Sequence, residues 1–150
     1  AGIYFNRYYG QHVQLTGNLF CSNHGPAIEA LEGNVRGLAI TGNTIRNNGR
    51  TPGQPERDCQ VRLEGAQGVV FTGNVVHILW QNTPSYGLRI KQLRECVISN
   101  NTFFKGAMKA LIWDLGGHTE TVISQNPGSL KDPKDPDSWC ADLPKPSPSF

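Results

Sequence analysis

A short Gly-Asn or Asn-Asn motif flanked by apolar pairs returns along this chain at nearly fixed intervals, and that period constrains the fold more than any single residue. LTGNLF carries Asn18, ITGNTI carries Asn43, FTGNVV carries Asn74, ISNNTF carries Asn101 and ISQNPG carries Asn126, at steps of 25, 31, 27 and 25 residues. Self-similarity on this scale marks an architecture in which each unit packs only against its neighbours. Within a unit the apolar residues alternate. Val13 and Leu15, Leu38 and Ile40, Val69 and Phe71, and Cys96 and Ile98 stand five and three positions before their asparagines. That is strand periodicity with one buried face. A second short strand is expected upstream in each unit, in IYFN, EALEG, QVRLEG, GLRIKQ and LIWDLG, and a third on the pair after each asparagine.

Three short strands per coil predict an all-β, right-handed parallel β-helix of about five coils over residues 1–128, with a Pro/Asp-rich tail over 129–150. Gly-Asn marks the corner, because these residues tolerate left-handed backbone best. Asparagines at one corner of successive coils are expected to exchange amide hydrogen bonds and satisfy the turn backbone. Trp139 is the expected apolar anchor of the tail. The first coil begins within three residues of Ala1 with nothing to cover it. Solenoid ends need caps, so the chain is expected to be the C-terminal part of a longer β-helix, or to meet an upstream domain or a homo-oligomer there.

A chain of 150 residues suits a single core. Its net charge of +2 includes no long basic run, which argues against nucleic acid as a partner, and no apolar run approaches a membrane span. Cys21, Cys59, Cys96 and Cys140 have neither zinc nor redox spacing; Cys96 reads as a core residue, and one bridge to the tail is open. His12, His24, His77 and His118 share no spacing, so no metal cluster is expected. His77 and Asp58 are minor acid–base candidates.

Aligning the upstream strands on Phe5, Leu31, Leu63, Ile90 and Leu115 places Tyr4, Ala30, Arg62, Arg89 and Asp114 in one outward column. Asn6, Glu32, Glu64, Lys91 and Gly116 form the other. Neighbouring coils lie about 4.8 Å apart, so Glu32 and Glu64 become neighbours, Arg62 adjoins Arg89, and Lys91 adjoins Glu64. Paired carboxylates suit glycosidic acid–base chemistry. Stacked arginines with a lysine suit an anionic sugar. Tyr4, Trp80, Trp113 and Tyr86 could supply stacking faces.

The repeat resembles the right-handed β-helix superfamily of carbohydrate-active proteins that includes pectate lyases and polygalacturonases, over roughly Gly2 to Gly128. YGLRIKQ, Tyr86 to Gln92, is similar to the Arg-Ile-Lys motif with which polygalacturonases hold a galacturonate carboxylate. The resemblance implies that Arg89 and Lys91 bind an acidic sugar; Asn6, Glu32 and Glu64 stand where that family carries its catalytic motifs.

The expected function is therefore that of a secreted or cell-surface protein binding or acting on an acidic polysaccharide, as glycoside hydrolase or polysaccharide lyase. Glu32 and Glu64 are the expected catalytic pair. Arg62, Arg89, Lys91, Asp114, Tyr4 and Trp80 are the expected substrate-binding residues. No cofactor is expected; calcium is considered only for a lyase, and no carboxylate cluster in the sequence makes a site for it. The alternative is a non-catalytic structural or adhesive module, such as part of a tailspike.

Overall fold

The computed structural model describes residues 1–5, 11–31, 35–50 and 53–134. The first coil comprises β1 (Ile3–Phe5), β2 (Gln11–Thr16) and β3 (Leu19–Cys21), and the second β4 (Ile28–Ala30), β5 (Arg36–Thr41) and β6 (Thr44–Arg46). The third contains β7 (Cys59–Glu64), β8 (Val70–Thr72) and β9 (Val75–His77), and the fourth β10 (Tyr86–Lys91), β11 (Val97–Ser99) and β12 (Thr102–Phe104). A fifth adds β13 (Ala110–Asp114) and β14 (Val122–Ser124). Strands stack coil on coil into three parallel sheets: β1-β4-β7-β10-β13, β2-β5-β8-β11-β14 and β3-β6-β9-β12. This is a parallel β-helix, as the repeat predicts.

The core is built of columns in register. Leu15, Ile40, Phe71, Ile98 and Ile123 form one; Phe20, Ile45, Val76 and Phe103 form another. Every inward residue therefore meets its counterpart above and below, so burial propagates along the stack.

The asparagine corner closes as the period predicts. The backbone N–H and side-chain amide of Asn18 donate to Asn43 Oδ1; Asn43 donates likewise to Asn74, Asn74 to Asn101 and Asn101 to Asn126, at 2.9–3.3 Å. Each amide from Asn43 onward also donates to a carbonyl of the coil before, at Leu15, Ile40, Phe71 and Ile98. The left-handed residue is the one before the asparagine: Gly17, Gly42, Gly73, Asn100 and Gln125 have φ of 68°, 65°, 67°, 57° and 56°. A second ladder runs from Asn23 to Asn48 to Gln60 at another corner.

The first sheet corrects the alignment expected from sequence. Its inward column is Phe5, Ala30, Leu63 and Ile90, with the exposed Asp114 in register beyond Ile90. Leu31 follows the end of β4, and Leu115, 39% exposed, follows β13. Ile28 and Ala30 alternate in phase with Val61 and Leu63, and all four are fully buried. A small alanine fills the position for which the larger leucine looked the better candidate. The outward row is consequently Tyr4, Glu29, Arg62, Arg89 and Trp113.

Among the described residues no disulfide forms: Cys21, Cys59 and Cys96 are free thiols. Trp139 and Cys140 lie outside the described residues. The start of the tail packs against the segment after β9, where buried Lys131 donates to Gln81 O and Asn82 Oδ1 at 2.8 and 3.1 Å.

Candidate functional site

The outward row of the first sheet gathers the largest group of charged side chains linked by ion pairs among the described residues. Glu29 is 4% exposed. Its Oε1 accepts from Arg57 Nε and Nη2 at 3.1 and 2.9 Å, and its Oε2 accepts from Arg62 Nη1 at 3.5 Å. Arg62 also donates through Nε and Nη2 to the two oxygens of Glu64, at 3.1 and 3.2 Å. Arg89 Nε lies 2.6 Å from Glu64 Oε1, but its N–H points off that line and makes no hydrogen bond. Charges therefore alternate along the stack: Arg57, Glu29, Arg62, Glu64, Arg89. The in-register arginine pair Arg62–Arg89 is tolerated because Glu64 holds both.

Arg57 reaches the row from an insertion between β6 and β7, on the 3-10 turn Pro55–Arg57. Its guanidinium passes over Gly25, where a β-carbon would collide with it. Burial disfavours the Arg62 cation, but its bonds to Glu64 and the charge of Glu29 outweigh this and raise its pKa. Beneath the turn, burial pushes the Cys59 thiol pKa well up, reinforced by the charge of Glu29, so Cys59 is an unreactive thiol.

The far end of the row is aromatic. Trp113 stacks on Tyr86 with ring centroids 4.5 Å apart, and Arg89 Cζ lies 4.7 Å from the Trp113 ring centroid. Two depressions border the Pro55–Arg57 turn. One, of about 400 Å³, is lined by Tyr4, Glu29, Leu31, Arg57 and Arg62 with Ala1. The other, of about 250 Å³, is lined by Tyr86, Trp113, Lys109 and Asp58 with the Gly53–Pro55 segment. Asp58 is fixed there by accepting the Ser85 N–H on Oδ1 at 2.7 Å.

The structure brings together Tyr4, Arg62, Arg89, Glu64 and Lys91 of the residues expected from sequence. Lys91 is exposed and in register with Glu64, whose ion partners are instead Arg62 and Arg89. Asp114 lies one position beyond the row, in register with Ile90. It accepts from His118 Nε2 at 2.6 Å and from the Gly116 N–H at 2.8 Å. Burial opposes its ionisation, but these bonds prevail and lower its pKa. His118 Nδ1 in turn accepts the Leu93 N–H at 3.1 Å, so both ring nitrogens are engaged.

Trp80, 50% exposed, lies between Leu79, which donates to Asn47, and Gln81, which is tied to Thr83 and Lys131. These contacts place it at the corner after the third sheet, not in the row. Glu32 lies outside the described residues; the carboxylate the row contains beside Arg62 is Glu29. His77 stands on the third sheet in register with Arg46 and Phe104. Burial, then the charges of Arg46, Lys105 and Lys131, press its pKa down to about 4.

Sequence reasoning missed Glu29 and Arg57. The phase match of Ile28 and Ala30 to Val61 and Leu63 could have found the first. Nothing local could have found the second, since its partner lies 28 residues away. Among the described residues no group of three or more His, Cys, Asp or Glu side chains could hold a metal ion. No protein-family model matches the chain, and neither a curated protein nor a solved structure matches it significantly.

Proposed function

We propose that this β-helix binds an acidic polysaccharide along the outer face of its first sheet, with Arg89 anchoring a sugar carboxylate. The observation that carries the reading is the unequal use of the three arginines. Arg57 and Arg62 spend their nitrogens on Glu29, Glu64 and Gln54. Arg89 makes no directed hydrogen bond to any described residue, although its side chain is only 14% exposed. Among the described residues three cations share two carboxylates, and Arg89 shares Glu64 with Arg62. A planar fork held beside an indole suits a carboxylate that projects from a stacked sugar ring.

Binding is favoured over hydrolysis by the state of the carboxylates. Both oxygens of Glu29 and of Glu64 accept from arginines, so they are engaged within the row rather than turned toward a glycosidic oxygen. The test is binding to an array of uronate-containing polysaccharides by the unaltered chain, Arg89→Ala and Arg89→Lys. Selective binding lost at least tenfold in Arg89→Ala, with Arg89→Lys between, is the expected result. No uronate binding, or binding indifferent to Arg89, overturns the reading.

A further inference from the structure

The depression beside Trp113 differs in charge from the row that it adjoins. It is lined by the Tyr86–Trp113 stack, by one carboxylate, Asp58, and by one ammonium, Lys109. These charges cancel, whereas Arg89, on the ring of the same tryptophan, has no hydrogen-bonded acceptor among the described residues. At about 250 Å³ the depression is smaller than the roughly 300 Å³ at which pockets begin to hold a drug-sized ligand. There is room for one sugar ring.

We infer that this depression is a subsite for a single neutral sugar, next to the acidic residue held at Arg89, so that the glycan class is an alternating acidic–neutral heteropolysaccharide. This rests on the acidic-glycan reading above and adds the identity of the neighbouring residue. The aromatic stack takes the apolar C–H face of a pyranose. Asp58 accepts from one ring hydroxyl, and Lys109 donates to another. A second uronate in this place would meet Asp58 as well as Lys109, so its carboxylate gains no net attraction and still loses hydration, whereas a neutral ring uses both groups. Asp58 is thus a specificity-determining residue, while its Oδ1 bond to the Ser85 N–H keeps it in place.

The experiment compares a hexamer of glucuronate with an alternating glucuronate–glucose hexasaccharide by calorimetry, using the unaltered chain, Asp58→Asn and Arg89→Ala. Asn can keep the Oδ1 bond while removing the charge. The alternating glycan is expected to bind about tenfold more tightly than the hexauronate. Asp58→Asn is expected to close most of that gap, chiefly by improving hexauronate binding. Equal affinities for both glycans in the unaltered chain, or a preference untouched by Asp58→Asn, overturn the inference while Arg89-dependent binding keeps the broader reading intact. Loss of all binding dependence on Arg89 overturns the broader reading, and the inference with it.

Discussion

Two polar columns run along this solenoid at the same rise, and they solve the problem of stacking identical groups in opposite ways. At the asparagine corner one residue type recurs, because an amide is donor and acceptor at once and each copy completes the next. On the first sheet, recurrence of one charge would be repulsive, so Arg57, Arg62 and Arg89 are interleaved with Glu29 and Glu64. The amide column is buried and consumes its own hydrogen-bonding capacity. The charged row is partly open and ends on a cation with no directed acceptor. Neutral self-complementary stacking builds the frame; charged stacking with an odd member leaves one guanidinium without a directed acceptor among the described residues.

The contrast can be broken hardest at the centre of the amide column. Asn74→Ala removes the acceptor of both Asn43 donors and the donor to Ile40 O, all in the interior. A loss of about 4 kcal/mol in urea unfolding is expected, since each orphaned buried group costs about 1–3 kcal/mol. A loss below about 1 kcal/mol would mean that the ladder follows the fold without supporting it.

In the charged row the corresponding change is Glu29→Gln, which leaves Arg57 and Arg62 without their shared carboxylate. Partial exposure of Arg57 limits the cost to about 2–3 kcal/mol. Adding Arg62→Gln should recover part of it, read as a coupling energy in a double-mutant cycle. Additive losses would show that Glu29 and Arg62 act independently and that alternation is incidental.

The smallest expected effect tests a third column, Cys21, Arg46, His77 and Phe104, in which a titratable group stacks directly on a cation. His77 meets that neighbour by remaining neutral, its pKa held down at about 4. The unfolded chain takes up this proton near pH 6.5, which the folded chain refuses until about pH 4. Stability present at neutral pH should therefore fall as pH drops between those values, by about 1–2 kcal/mol after allowance for partial exposure. His77→Gln should flatten that part of the stability–pH curve. An unchanged slope in the variant would assign the acid sensitivity to other groups.

How much of this was legible in the sequence follows from the same physics. The asparagine period and the alternation before it are local and repeated, so the coils, their corners and the core column of the second sheet could be read from residue types. The charged row was read one position out in the second and fifth coils. Hydrophobicity alone picks Leu31 over its smaller neighbour Ala30 and Leu115 over its polar neighbour Asp114. Packing against Leu63 instead selects Ala30. Arg62, Arg89, Glu64 and Lys91 were placed correctly because LRI and VRL are unambiguous in phase. Arg57 reaches Glu29 from an insertion with no period of its own, and no spacing rule encodes a contact of that kind.

The self-completing corner also makes coil number a free variable. A duplicated coil inserted between Asn74 and Asn101 would bring its own asparagine, receive two hydrogen bonds and return two, and leave no orphan at either join. The same insertion placed between β10 and β13 would carry Trp113 a further coil, about 4.8 Å, from Arg89. The molecule is thus a ruler whose length can be reset without refashioning its frame, while the distance between its aromatic and cationic marks is fixed by a single adjacency. A gain or loss of coils would be expected to change the spacing of these marks before it changes how the chain folds.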